Sequence, residues 1–324
     1  MIKFGKIVAA ILLITLSGAT LSGAAQSLPV NTIRIVVPFP AGGTTDILAR
    51  HIAHALGTKL GISVFVDNRP GVSGTLGSEF VAKSPPDGAT LLLTATHHVI
   101  NLSLYKNLPY DTQKDFSPVA LVATVPNALV VHPSVPAKTV AELIELAKKE
   151  PGKLSFASTG IGGANHLAGE LFKLMAGVDI VHIPYKGAAP AMTDLLGGHV
   201  PMMFDSLPTV IPAASDGRLR VLAVTSLTRS RSLPDVPTLD EAGLKGFDAT
   251  AWFGLYMPAA EGSPALTELG GAMKEVLASE DIRTKFEAQG LEPGILTGAK
   301  FKEFVNAEIT KWGSVVQRAN VKIE

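Results

Sequence analysis

From Ile33 onward, short apolar runs rich in β-branched residues alternate with amphipathic stretches of helical period, the pattern of an α/β chain in which strands and helices take turns. The strands predicted are Ile33 to Val37, Ser63 to Val66, Thr90 to Thr94, Leu154 to Ala157, Ile180 to Ile183, Val200 to Phe204 and Leu219 to Val224. The helices between them are Thr44 to Lys59, Leu76 to Ala82, Val140 to Lys149, Ala164 to Ala176, Ala188 to Leu196 and Pro208 to Ser215. Three longer helices follow: Pro264 to Ser279, Asp281 to Gln289 and Ala299 to Gln317. Two apolar runs break the rhythm, Val119 to His132 and Ala249 to Met257, each long for one strand. They bracket a full set of βα units from about residue 133 to 248. A chain that leaves one lobe, builds a second and returns has this form. The expectation is two α/β lobes joined by two crossing strands, each lobe a mixed sheet flanked by helices, with residues 26–128 and 254–324 in lobe one and 129–253 in lobe two. One long doubly wound sheet is the competing arrangement. No repeat at a solenoid period and no low-complexity stretch occurs.

Residues 1–25 follow a different pattern. Lys3 and Lys6 precede a ten-residue apolar run, Ile7 to Leu16, and small residues from Ser22 to Ala25 follow. This is the layout of a secretory signal peptide, cleaved near Ala25. The run is too short for a bilayer span, which needs roughly 20 residues. The exported chain has about 299 residues and loses two positive charges, leaving 26 basic against 28 acidic residues. Export also argues against chemistry that needs cytosolic ATP or NAD.

Composition narrows the classes further. The 324 residues are 47% hydrophobic and 17% charged, enough apolar content for a sizeable core, and the 28 Lys+Arg balance 28 Asp+Glu. A balanced chain offers no basic field for phosphate backbones, so no nucleic-acid partner is expected. With no cysteine there is no disulfide, no thiolate chemistry, no cysteine-ligated metal and no lipid-modified N-terminal cysteine.

The chemistry concentrates at strand ends. Ile33 to Val37 runs into Pro38-Phe-Pro-Ala-Gly-Gly-Thr-Thr-Asp46, where Gly42 and Gly43 let the backbone turn and Thr44 or Thr45 can cap the helix that follows. Such a loop brings backbone N–H groups and the positive end of a helix dipole to one small volume, where an anion binds without an arginine. Leu154 to Ala157 opens the second lobe in the same way, running through Ser158-Thr-Gly160-Ile-Gly-Gly163-Ala-Asn-His166. Facing each other across a cleft, two such loops grip a small carboxylate from both sides. Two further strand ends, Thr94-Ala-Thr-His97-His98 and Phe204-Asp205-Ser206, reach the same crevice beyond the carboxyl ends of the strands. Asp205 there either holds an ammonium or hydroxyl group or caps the next helix. Tyr185 either reaches the cleft or packs on the sheet edge.

Other chemistries fail on spacing. Gly160-Ile-Gly-Gly-Ala-Asn165 lacks the third glycine of the dinucleotide fingerprint, and Asp179 precedes its strand where that fingerprint needs an acid at the strand's end. There is no phosphate-loop motif. Ser73 in Gly71-Val-Ser-Gly74 lacks the spacing of a nucleophile elbow. The eight histidines show no metal-ligand spacing, so neither a metal nor a cofactor is expected.

Taken together, Pro38 to Asp46 with Ala49-Arg50, Val66-Asp-Asn-Arg-Pro-Gly71, Gly74, Gly77, Pro86-Asp-Gly88, Phe156 to Phe172, His182-Ile-Pro-Tyr-Lys-Gly187, Phe204-Asp-Ser206, Val236-Pro-Thr238 and Glu241-Ala-Gly243 resemble the Bug (TctC-like) substrate-binding receptors of tripartite tricarboxylate transporters. The resemblance covers nearly the whole exported chain in order. It implies a periplasmic binding protein of the two-lobed type II kind, closing on a small ligand in the cleft between lobes. It implies no catalysis, no lipid anchor, a monomeric receptor, and the membrane permease subunits of such a transporter as partners. By the same resemblance the ligand carboxylate is held by Ala41, Gly42, Gly43, Thr44, Thr45 and Asp46 from one lobe and by Ser158, Thr159, Gly160, Gly163 and His166 from the other, with His97 and Asp205 selecting which organic acid fits. Two other readings stand beside it: a ligand-sensing partner of a membrane signalling protein, and a secreted α/β hydrolase or isomerase working through His97, His166, Asp46 or Asp205.

Overall fold

The computed structural model describes residues 28–322, so the expected signal peptide lies outside the described residues. The chain opens with β1 (Thr32–Val37), α1 (Thr44–Leu60), β2 (Ser63–Asn68), a 3-10 turn at Val72–Gly74, α2 (Thr75–Ala82), β3 (Thr90–Ala95), α3 (His97–Leu104) and β4 (Phe116–Val125). It continues with β5 (Asn127–Val131), α4 (Val140–Lys149), β6 (Ser155–Ser158), α5 (Ala164–Ala176), β7 (Val181–Pro184), α6 (Ala188–Leu196), β8 (Met202–Ser206), α7 (Leu207–Ser215) and β9 (Arg220–Val224). It closes with β10 (Ala251–Pro258), α8 (Pro264–Ala278), α9 (Glu280–Glu287), β11 (Glu292–Pro293) and α10 (Gly298–Arg318).

These strands form two sheets. The first has six strands in the order β11-β4-β10-β3-β1-β2, the second five in the order β7-β6-β8-β5-β9. Both are mixed: β1 runs parallel to β2 and β3, and β6 parallel to β7 and β8, whereas β10 and β5 run antiparallel to their neighbours. A single continuous sheet is thereby excluded.

The division falls at Pro126. Having no N–H, proline cannot continue a ladder, and the apolar run from Val119 to His132 breaks there. Val125 pairs with Ala251 in the first sheet, and Asn127 pairs with Ser206 in the second. The chain returns to the first sheet between Val224 and Ala251, so the boundaries expected after residue 128 and before residue 254 fall inside β5 and β10. The two crossings are laced together at one point. Asn127 N–H donates to Thr225 Oγ1 at 3.0 Å, Asn127 Nδ2 to the Ala249 carbonyl at 3.2 Å, and Ala249 N–H to the Thr225 carbonyl at 3.0 Å.

Apolar side chains bury both faces of the second sheet. Phe156 and Phe204 pack edge to face, with centroids 6.1 Å apart, under Phe172 of α5, while Ala157 and Met203 face the cluster built with α6 and α7. Helix α5 lies so close to the sheet that a Cβ at Gly169 would meet the Phe156 ring at 2.1 Å, so only glycine fits there. The C-terminal helix α10 is tied to the first sheet by Glu308, whose Oε2 accepts the indole N–H of Trp252 on β10 at 2.6 Å and of Trp312 at 2.7 Å.

Candidate functional site

The two glycine loops are built alike. In the first, the Gly42 N–H donates to Asp46 Oδ2, four residues on, at 3.0 Å; in the second, the Gly162 N–H donates to His166 Nδ1, again four residues on, at 3.1 Å. In each the next glycine, Gly43 or Gly163, is the extended residue that starts the helix, and its side chain has nothing with which to cap it. The consequence is chemical. The first-turn N–H groups of α1 and α5, at Thr44, Thr45, Ala164 and Asn165, have no intrahelical partner and, among the described residues, take part in no other protein hydrogen bond. Three helices away from these loops differ: Thr139 caps α4, Ser263 caps α8 and Ser279 caps α9.

Both helix starts open on one cavity between the sheets, of about 570 Å³ including its mouth. Helices α3 and α6 begin on it too, at His97 and Ala188, and neither start carries a side-chain cap. Phe39, Phe253, Ala95 and Ala251 supply apolar wall, and Thr159, Asn165, Asn127 and Ser206 supply polar groups. Among the described residues, no lysine or arginine lines it. Its two ionisable groups are His97, whose pKa burial pushes down to about 4 so that it is neutral, and Asp205, 2% exposed, which burial pushes up to about 6 against the pull of Thr209, the Ser206 N–H and Asn165. Positive potential in this cavity comes from helix ends alone.

The expected site residues divide into two groups. Gly43, Thr44, Thr45, His97, Thr159 and Asp205 line the cavity. Ala41, Gly42, Asp46, Ser158, Gly160, Gly163 and His166 are not among its lining residues, and Ala41 and Gly42 are exposed. Asp46 is spent on Gly42, on a two-pronged pair with Arg50 at 2.9 and 3.0 Å and on Asn68 at 3.0 Å; burial raises its pKa, but these bonds outweigh burial and hold it below the usual carboxylate range. Ser158 Oγ lies 2.6 Å from His182 Nε2, and the His182 ring stacks on His166 at 3.9 Å. Burial pushes the pKa of these two histidines down to about 4 and about 3, so the stack is neutral. Gly163 is a spacer, where a Cβ would sit 2.6 Å from His97 Nε2. Asp205 does not cap α7; it accepts from Thr209 Oγ1 at 2.6 Å. Tyr185 donates to Asp194 at 2.7 Å and does not line the cavity.

Sequence reasoning passed over Phe39, Pro40 and Gly187 as ligand-facing, although each lies inside a segment singled out for its family likeness. It also passed over Asn127, which sits at the crossing, and α3, which follows β3 after a single residue, whereas Ser206 lies in a strand end that it did bring to the crevice. The two halves touch around the cavity: Ser73 Oγ donates to the Ile161 carbonyl at 2.9 Å, and a Cβ at Gly187 would lie 3.2 Å from Pro40.

On α3, beside His97, His98 is enclosed by Tyr110, Phe116 and Tyr256 at centroid distances of 6.1, 4.8 and 4.9 Å, and neither of its ring nitrogens has a hydrogen-bond partner. Burial pushes its pKa down to about 3. The unfolded chain therefore binds a proton that the folded chain refuses. Stability is full above about pH 6.5 and falls by roughly 1.4 kcal/mol per pH unit below it for this one group. Replacement of His98 by Phe is expected to raise unfolding free energy by about 1–3 kcal/mol at neutral pH, by removing two unpaired polar atoms, and to flatten the loss on acidification. Denaturant melts of both proteins at about pH 7 and pH 5 read both effects.

The family described as tripartite tricarboxylate transporter family receptor matches residues 48–321. Among solved structures, the chain is similar to Rpa4515 of R. palustris with adipate, at 38% identity and a TM-score of 0.88 over 91% of this chain and 99% of that one. It is similar to the periplasmic binding protein BugD at 36% identity and a TM-score of 0.85 over 90% of this chain and 99% of BugD. It is also similar to MatC from Rhodopseudomonas palustris with bound malate, at 32% identity and a TM-score of 0.83 over 89% of this chain and 99% of MatC.

Proposed function

Because the chain belongs to the tripartite tricarboxylate transporter receptor family, whose members are solute-binding receptors, we propose that it is a periplasmic receptor that captures a small carboxylate and presents it to the membrane permease subunits of such a transporter. The observation that carries the reading is the meeting of uncapped helix starts in a cavity without a cation. Such a site stabilises one carboxylate through backbone N–H groups and helix dipoles, and it offers no nucleophile with an activating base. Ser158 with His182 is the nearest approach to such a pair, and neither lines the cavity. Rpa4515 with adipate and MatC with bound malate support a carboxylate as the ligand class. The pattern of residues 1–25 supports export.

The moving bodies in this reading are the two sheets with their helices, and the hinge is the laced crossing at Asn127, Thr225 and Ala249. Opening breaks the Ser73 to Ile161 bond, and ligand shifts the population toward the closed arrangement. A thermal-shift screen of the purified protein against organic acids tests the function. At a concentration 100 times its Kd, a true ligand adds about 2.7 kcal/mol to stability, and a panel in which no mono- or dicarboxylate stabilises the protein refutes the reading.

A further inference from the structure

We infer that Asp205 sets the charge of the ligand: the cavity takes a dicarboxylate together with one proton, shared between Asp205 and the ligand's second carboxylate. The inference rests on the carboxylate-receptor reading and names the charge state which that site accepts.

The helix starts at Thr44, Thr45, Ala164 and Asn165 accommodate one carboxylate. A second carboxylate in the same cavity meets the remaining walls, where the starts of α3 and α6 add backbone N–H groups but where, among the described residues, the charged side chains are one acid and no base that is charged at neutral pH. The groups that bear on Asp205 are Ala128, its ladder partner on β5, the Ser206 N–H, Thr209 on α7 and Asn165 on α5, with His166 the next residue along α5, and the cavity it lines also holds His97 on α3 and Ala251 on β10. None is charged at neutral pH: burial pushes the pKa of His97 down to about 4 and of His166 down to about 3. Nothing cationic acts on Asp205, whose environment consists of burial and neutral hydrogen-bond donors. Two ionised carboxylates meeting at Asp205 repel with no cationic side chain between them, and one proton turns the repulsion into an O–H···O⁻ hydrogen bond, among the shortest and strongest in proteins. An acid that burial already pushes up to about 6 is raised further by a second negative charge beside it, so the proton arrives from solvent as the ligand binds. The ligand's own carboxylates are ionised throughout this range, so the linkage belongs to the site.

Titration calorimetry of adipate, malate, succinate and glutarate into the full exported chain tests this, with hexanoate as the single-carboxylate comparison. Runs at about pH 6 and pH 8, each in two buffers of different ionisation enthalpy, count protons directly. The expected result is uptake approaching one proton per diacid at the higher pH, an affinity that falls by up to about tenfold per pH unit above neutrality, and hexanoate binding without uptake. Asp205→Asn, which keeps an acceptor for Thr209, is expected to bind the diacid with no uptake, at an affinity independent of pH and tighter than that of the parent protein at pH 8. Diacid binding by the parent protein with no proton uptake and no pH dependence overturns the inference, and that measurement needs no variant. Binding of hexanoate with no diacid bound at either pH also overturns it and leaves the receptor reading standing, whereas failure of every acid refutes the receptor reading itself.

Discussion

A protein carrying both Thr44→Pro and Ala164→Pro is expected to fold as the parent does and to lose affinity for its carboxylate by about 10²- to 10⁴-fold. Thr44 and Ala164 are the first residues of α1 and α5, where proline is tolerated because its missing N–H has no helical partner and its fixed φ suits the helix. The residues before them meet the requirement of proline as well: Gly43 lies at φ −84°, ψ 167° and Gly163 at φ −83°, ψ 161°, both in the extended region that a following proline demands. Each change therefore deletes one backbone donor from the cavity and leaves the helix in place, and Thr44→Pro also removes the Thr44 hydroxyl, a loss that Thr44→Val measures alone. A hydrogen bond to a charged group contributes about 1.5–3 kcal/mol, so each deletion costs about 10- to 150-fold in Kd. Ala164→Val, which adds bulk but keeps the N–H, separates filling of the cavity from loss of the donor. Titration calorimetry gives the affinities, and a ligand-free denaturant midpoint within about 1 kcal/mol of the parent verifies the fold. If the double variant binds as the parent does, side chains and not helix ends hold the ligand, and the proposed mode of recognition is wrong.

The experiment also marks where the sequence was legible. The bounds of α4, α5 and α6 agree with the helical pattern at both ends, because local chemistry sets them: Thr139 caps α4, and Gly177 in the left-handed region ends α5. Both glycine loops were legible for the same reason, since glycine pairs at a strand end before a helical pattern admit few backbone paths. The roles of the polar side chains within them were not. Asp46 and His166 are the chemically conspicuous members of their loops, and each turns back to hold the glycine N–H four residues earlier. The spacing offers Asp46 a helical neighbour in Arg50, four residues on, but it does not separate a carboxylate that faces a ligand from one that fastens a loop; Asn68 completes the fastening only once β2 lies beside β1. The long run from Val119 to His132 was ambiguous in the same way. Its hydrophobicity is continuous because both of its halves are buried, and only the missing N–H of Pro126 divides it between two sheets.

The largest loss of stability is expected from Glu308→Ala, at about 3–5 kcal/mol. Glu308 is 8% exposed, and one of its oxygens serves both indole N–H groups, from Trp252, which is 1% exposed, and from Trp312, which is fully buried. Removal of the carboxylate leaves two buried donors unpaired, at about 1–3 kcal/mol each, and opens a cavity between α10 and β10. Because both indoles share a single oxygen, Glu308→Gln can still offer an amide oxygen to both, and its loss is expected to be about 1–2 kcal/mol. The ranking Ala well below Gln, and Gln below the parent, in the denaturant midpoint is the signature of a shared acceptor. Equal losses in the two variants contradict it. The site should register this anchor only weakly. Trp252 is joined to the rim of the cavity through its backbone, with its N–H donating to Thr96 Oγ1 at 3.0 Å and its carbonyl accepting from the same hydroxyl at 3.2 Å, and the residues on either side of it, Ala251 and Phe253, line the cavity. Those bonds do not pass through the indole, so ligand affinity in Glu308→Ala is expected to stay within about tenfold of the parent while its stability falls. Loss of both together would mean that α10 positions the cavity as well as completing the core of the first sheet.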